Sequence, residues 1–193
     1  MSTPETTTDR PRCAWGDSSD DYRRYHDEEW GTIVHGDDAL FERMSLEAFQ
    51  SGLSWITILR KRENFRRAFA GFHIAAVAEF DEADVDRLLQ DSGIVRNGAK
   101  IRAVINNADV IARSGLSLDT LLWSYAPDPD THPRPRTLGD VPAVTDESKA
   151  MAKALKKLGF AFVGPTTAYA LMQATGMVDD HVATCFRAGS ANS

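Results

Sequence analysis

The stretch Asp91-Ser92-Gly93-Ile94-Val95-Arg96-Asn97-Gly98-Ala99-Lys100-Ile101-Arg102 joins two amphipathic segments and sets the fold class. Upstream, Asp81 offers an N-cap, and Val85, Leu88 and Leu89 fall at helical spacing. Downstream, Ile101, Val104, Ile105, Ala108 and Ile111 line one side of a longer helix that starts after Gly98. Gly93 is read as the stop of the first helix, because glycine accepts the left-handed conformation that helix ends favour. A glycine-bounded turn at a helix N-terminus exposes backbone N–H groups and attracts an anion such as a phosphate. Arg96, Lys100 and Arg102 would add local positive charge. The same residues also suit an ordinary helical corner with a solvated basic rim.

Working outward, the rest of the chain also reads as helices joined by loops. Asp37-Asp38 offers an N-cap ahead of Leu40, Phe41, Met44 and Phe49, and Gly52 interrupts that pattern. Ser54 can cap a helix from Trp55 to Phe69, and Leu118 to Trp123 suggests another. Asp146 to Leu158 is a strong helix with Gly159 as its stop, and Gly164-Pro165 opens a last helix that ends by Gly176. No run shows sustained strand alternation, so the fold class is all-α. Pro127, Pro129, Pro133, Pro135 and Pro142 mark an irregular loop to which no function is attached.

With 193 residues the chain suits a single helical domain, placed at 12–187, with a disordered leader at 1–11 and a flexible tail at 188–193. No apolar run approaches the ~20 residues of a membrane span, and no signal peptide is read. A cytoplasmic, monomeric protein with no membrane partner is the expectation. The net charge of −6 disfavours a protein that blankets nucleic acid with positive charge, yet leaves room for a local basic face such as Lys61, Arg62, Arg66 and Arg67.

Cysteine usage points to a metal. Cys13 is followed thirteen positions on by His26, and His181 four positions on by Cys185. The second pair would face one way on a helix. Together the four form a Cys₂His₂ set that suits tetrahedral zinc, and four protein ligands leave no open position, which implies a structural ion joining the two ends of the chain. The alternatives are buried thiols beside hydrogen-bonded imidazoles, or a Cys-His nucleophile pair. His35, His73 and His132 have no partner at telling spacing and are read as surface or loop residues.

Two stretches are dense in aromatics beside polar groups: Tyr22 to Gly31, with Tyr25, His26 and Trp30, and Leu46 to Trp55, with Glu47. Aromatic faces stack on planar ligands such as nucleobases, and a carboxylate among them accepts hydrogen bonds and attracts a cation. Glu47 sits in a largely apolar helix, where an ionised carboxylate is costly unless a donor or positive charge compensates it. Pairing with an arginine, or a place on the solvent face, is the plainer reading. Trp15, Trp30, Trp55 and Trp123 are core residues by default.

Taken together, these segments resemble the DNA-3-methyladenine glycosylase I family over nearly everything from Arg12 to Phe186. The resemblance is carried by Cys13-Ala14-Trp15-Gly16, Tyr25-His26-Asp27-Glu28-Glu29-Trp30-Gly31, Leu46-Glu47, Gln50-Ser51-Gly52-Leu53-Ser54-Trp55, Lys61-Arg62-Glu63-Asn64-Phe65, Asp91-Ser92-Gly93-Ile94-Val95-Arg96, Ala154-Leu155-Lys156-Lys157-Leu158-Gly159-Phe160 and Asp180-His181-Val182. It implies an all-α helix-hairpin-helix glycosylase that flips an alkylated base out of double-stranded DNA, hydrolyses its N-glycosidic bond without lyase activity and releases free 3-methyladenine, the first step of base excision repair. It places one structural zinc on Cys13, His26, His181 and Cys185, base recognition on Glu47, stacking on Trp55, further pocket aromatics on Tyr25, Trp30 and Trp15, and DNA contact on the hairpin, with Gly93, Arg96, Gly98 and Lys100. The family lacks the catalytic aspartate that related glycosylases carry after the hairpin, and Lys100 to Arg113, with Asp109, is no clear match to that motif. Phe49 stands where some relatives have a polar residue, so a pocket wall of different polarity is the expectation. The hairpin also departs from the usual Gly-x-Gly form. The rival readings are an inactive damage-binding module, a zinc hydrolase and a Cys-dependent enzyme.

Overall fold

A computed structural model describes residues 10–189, and the described residues contain α-helices, short 3₁₀ turns and no strand. The helices are α1 (Asp20–Glu28), α2 (Asp37–Gln50), α3 (Trp55–Ala68), α4 (Ile74–Ala78), α5 (Glu82–Gln90), α6 (Gly98–Ser114), α7 (Leu118–Trp123), α8 (Asp146–Leu158) and α9 (Pro165–Ala174). Local chemistry accounts for most of their ends. Asp81 accepts from the Ala83 and Asp84 amides, Asn97 from Lys100 N, and Gly159 turns left-handed (φ 99°) to stop α8. Pro165 occupies the first position of α9, where its missing N–H costs nothing.

Helix α2 runs through the core. Phe41, Met44 and Phe49 are fully buried, and Phe49, Phe65, Phe69 and Phe72 form a chain of ring contacts. Phe49 therefore faces the core, and the expected change of pocket polarity at this position does not arise. Helix α9 packs on α2 and α8, and α6 packs on α4 and α5.

Several local expectations are corrected. Gly36, not Asp37 or Asp38, is the N-cap of α2. Asp37 instead accepts from the Asp119 amide at 2.8 Å, and Asp38 from the Ile74 amide at 2.9 Å, so each ties α2 to a neighbour. Gly93 has no left-handed backbone. It is glycine because a Cβ there would lie 2.9 Å from Asp91 Oδ1 and 3.1 Å from Asn64. His181 and Cys185 lie in turns rather than on a helix. Helix α1 escapes the pattern reading because only Tyr25 and His26 of its nine residues are buried. The 1–11 leader and the 188–193 tail fall mostly outside the described residues. Within them, Pro11 O accepts from Phe186 N at 2.8 Å and Gly189 N donates to Asp179 at 2.7 Å.

Candidate active site and metal cluster

A cavity of about 420 Å³ opens between α1, α2, α9 and the start of α3. Trp15, Tyr22, Tyr25, Trp30 and Trp55 supply its aromatic walls. Glu47, Gln50, Gln173 and Asp180 supply its polar groups, and Leu138, Val141 and Ala170 complete it. The rings brace one another: Tyr25 lies tilted against Trp55 at 5.4 Å, and Trp15 meets Trp30 edge-on at 5.1 Å. Such contacts fix ring planes at little conformational cost. All four aromatics expected at a base site, together with Glu47, thus meet in one cavity.

Glu47 is 5% exposed, and among the described residues no donor reaches its carboxylate. Burial pushes its carboxyl up to about 8, and nearby Arg43 opposes that only in part. Burial and then the Glu47 charge also raise the Tyr25 phenol above its ordinary value. Trp55 Nε1 is buried without a partner. The pocket therefore holds a carboxylate without a protein donor beside aromatic faces, an arrangement that a planar, donor-bearing, cationic ligand would complete.

Asp180, a lining residue that is 2% exposed, gathers three donors. His132 Nε2 lies 3.0 Å from Oδ1, while Tyr169 Oη (2.6 Å) and Gln173 Nε2 (2.8 Å) reach Oδ2. Sequence reading missed this network and left His132 as a loop residue. The one available signal was Tyr169 and Gln173 at i, i+4 on one helix face. The proline-rich segment supplies His132 to the network and Leu138 and Val141 to the cavity wall.

Cys13, His26, His181 and Cys185 converge with all ligand atoms within 4.8 Å of one another, joining the N- and C-terminal segments. Cys185 Sγ lies 3.4 Å from His26 Nε2 and 3.6 Å from His181 Nδ1, and Cys13 Sγ 3.7 Å from His181 Nδ1. A tetrahedral ion with bonds of about 2.3 Å to sulfur and 2.0–2.1 Å to nitrogen needs sulfur–nitrogen edges of roughly 3.5 Å, so the set could hold a metal. The outer nitrogens are oriented as metal-ligating histidines require: His26 Nδ1 faces Asp27 Oδ1 at 2.8 Å, and His181 Nε2 faces Trp30 O at 3.1 Å. Arg12 grips Asp27 through Nε and Nη2. Burial pushes the Cys13 thiol up to about 12 and the His181 imidazole down to about 4, a cost to charge that a divalent cation would reverse. Gly16 is needed because a Cβ would lie 2.8 Å from the His26 ring.

A profile of the methyladenine glycosylase family matches residues 15–188. The chain belongs to the methyladenine glycosylase family. DNA-3-methyladenine glycosylase 1 of Escherichia coli K12 is 44% identical over 177 residues, which cover 90% of this chain and 95% of that one. A crystal structure of 3-methyladenine DNA glycosylase I is 44% identical with TM-score 0.85, covering 91% of this chain and 98% of that one. A variant of 3-methyladenine DNA glycosylase I in complex with 3-methyladenine is 34% identical with TM-score 0.83, covering 91% and 96%.

In this methyladenine glycosylase family member the hairpin between α5 and α6 is held from behind. Lys61 Nζ donates to Ser92 O (3.0 Å) and Gly93 O (3.2 Å), and Asn64 Nδ2 to Gly93 O (3.1 Å). Arg96 is exposed and has no ion pair among the described residues, and the Gly98 amide opens α6. Lys100 does not join them. It is 7% exposed and its ammonium caps α2, donating to Phe49 O (2.9 Å) and Ser51 O (2.5 Å), so its expected contact with DNA is corrected. Arg102 pairs with Glu82, and Arg62 and Arg66 with Glu29 and Glu42, so half of the Lys61, Arg62, Arg66 and Arg67 run is neutralised. Asp109 pairs with Arg113 and does not line the cavity.

Proposed function

We propose that this chain is a monofunctional DNA glycosylase that hydrolyses the N-glycosidic bond of 3-methyladenine in alkylated double-stranded DNA and so initiates base excision repair. The observation that carries the reading is the Glu47 carboxylate, buried in an aromatic cavity with no protein donor. N3-methylation makes adenine a cation and a good leaving group. Flipped into the cavity, it would stack on Trp55, with Tyr25, Trp30 and Trp15 as walls, and donate an N–H hydrogen bond to Glu47. The C1′–N9 bond breaks with its electron pair passing to N9, which neutralises the base. Water oxygen bonds C1′ and loses its proton to solvent. Glu47 binds and orients, and no strongly committed general base is assigned.

Gly93, Arg96 and Gly98 would meet the DNA backbone, with helix-start amides favouring a phosphate. Cys13, His26, His181 and Cys185 fit one zinc ion, which when bound cross-links the two ends of the chain and, with four protein ligands, leaves no position for substrate. No helix of the described residues is long and apolar enough to cross a membrane. The reading is of a cytoplasmic monomer.

The test is release of free 3-methyladenine from methylated DNA. Wild type should release it, and Glu47→Gln should be slower by roughly 100-fold, the scale of losing one preorganised electrostatic partner. Near-normal release by the variant would remove the role of Glu47. Tight binding of damaged DNA without release by wild type would favour an inactive binding module.

A further inference from the structure

The Asp180 network has a consequence for which base the cavity accepts. Asp180 Oδ2 already takes the Tyr169 hydroxyl, and Gln173 lies 2.8 Å from the same oxygen. An amide oxygen at that distance from a carboxylate oxygen would be repelled, so the Gln173 amide must present its NH₂ group to Asp180. The orientation of an amide is normally ambiguous, and here the neighbour decides it. Gln173 Oε1 then faces away from Asp180 and finds no donor among the described residues. Gln173 lines the cavity, on a helix (α9) that packs directly on the Glu47-bearing α2. Gln173 thus adds a neutral acceptor to the lining that also carries Glu47, held by a network that reaches His132 in the proline-rich segment.

We propose that Gln173 is a specificity-determining residue of the base pocket, its amide oxygen reading the exocyclic amino group of an adenine-type base, and that Asp180 is the positioning residue that fixes the amide's sense. An adenine carries an N–H donor at the position where a guanine carries a carbonyl acceptor. An acceptor that cannot turn over therefore welcomes the first and opposes the second, so discrimination comes from repulsion as well as attraction. This inference rests on the proposed glycosylase reading.

The test measures release of 3-methyladenine and of 3-methylguanine from the same methylated DNA, and reads their ratio, which cancels any loss of folded protein. Gln173→Met keeps the side-chain length and removes the acceptor. It should lower 3-methyladenine release roughly 10- to 100-fold, the scale of a hydrogen bond to a charged group, and lower the ratio. Asp180→Asn should lower the ratio as well, because an amide at 180 lets Gln173 turn over and offer NH₂ to the cavity. Release of 3-methyladenine by wild type with an unchanged ratio in both variants would overturn the proposal and leave the glycosylase reading standing. Absence of release by wild type would overturn that reading itself. As a second measurement, wild-type crystals soaked with free 3-methyladenine should show Gln173 Oε1 within hydrogen-bond distance of the amino nitrogen, and its placement on another group would overturn the proposal.

Discussion

Arg43 stands one helical turn before Glu47 on α2, yet its guanidinium bonds Glu29 at 3.2 Å and leaves the Glu47 carboxylate without a hydrogen bond. Glu29 is shared with Arg62, which binds both of its oxygens, at 2.5 and 2.8 Å. Burial opposes the Glu29 charge, but the two arginines outweigh it and hold the carboxyl below its ordinary value. The Glu29 carboxylate is thus compensated, and that of Glu47, one turn from Arg43, is kept waiting for a ligand.

The consequence is a pH dependence with a definite sign. Glu47 titrates near 8 in the empty pocket, and its ionised form is the one that attracts a cationic base. The kcat/KM for 3-methyladenine release should therefore rise with pH and level off above about 8, since this ratio reports the free enzyme. Glu47→Gln should flatten that limb. Stability runs the other way. The folded carboxyl binds its proton more tightly than the unfolded one, so wild type should lose stability relative to Glu47→Gln as pH rises from about 4.5 to about 8. Urea unfolding at the two limits checks this.

Lys100 and Arg96 should separate cleanly. Lys100→Met removes the cap on the Phe49 and Ser51 carbonyls and should cost about 1–3 kcal/mol in urea unfolding, while the salt dependence of DNA binding stays unchanged. Arg96→Ala should leave stability alone and reduce the slope of log K against log[salt] by about 1.

Much of this molecule is legible in its residue order, and the reasons are local. Asp81, Gly159 and Gly164-Pro165 act within one turn of themselves, so the ends of α5, α8 and α9 follow from them, whereas Ser54 stands at the N-cap of α3 without a side-chain capping bond. The four Cys and His side chains that could hold a metal are legible for a different reason, since two of each rarely come together otherwise. What escapes reading depends on distant partners. The Lys100 charge turns inward because two carbonyls at the end of α2 happen to lie there, and Gly93 is hemmed in by Asn64, 29 residues away, as well as by nearby Asp91. His132 gains its role only when a proline-rich loop folds back onto Asp180.

Two left-handed glycines should respond differently to alanine. Gly115 (φ +63°) has open space where a Cβ would go, so Gly115→Ala should cost about 1–2 kcal/mol of backbone strain. At Gly176 (φ +74°) a Cβ would lie 2.8 Å from the Ile33 amide nitrogen and the Thr32 carbonyl carbon. Backbone cannot rotate aside, so Gly176→Ala should cost about 3–5 kcal/mol in the same urea titration.

Removing the metal should loosen both ends of the chain. Chelation, or Cys185→Ser, should cost about 4 kcal/mol or more, which for a chain of this size lowers Tm by roughly 8–16 °C. Metal analysis of the purified protein should give one zinc per chain, and an unchanged melting curve after chelation would count against a structural ion.

The clasp between Cys13 and His26 on one side and His181 and Cys185 on the other also sets an order of events during synthesis. Trp15, Tyr25 and Trp30 lie between or beside the first pair, so three rings of the cavity are seated against groups that follow some 150 positions later in the sequence. The aromatic wall can reach its final place only after His181 and Cys185 have been synthesised.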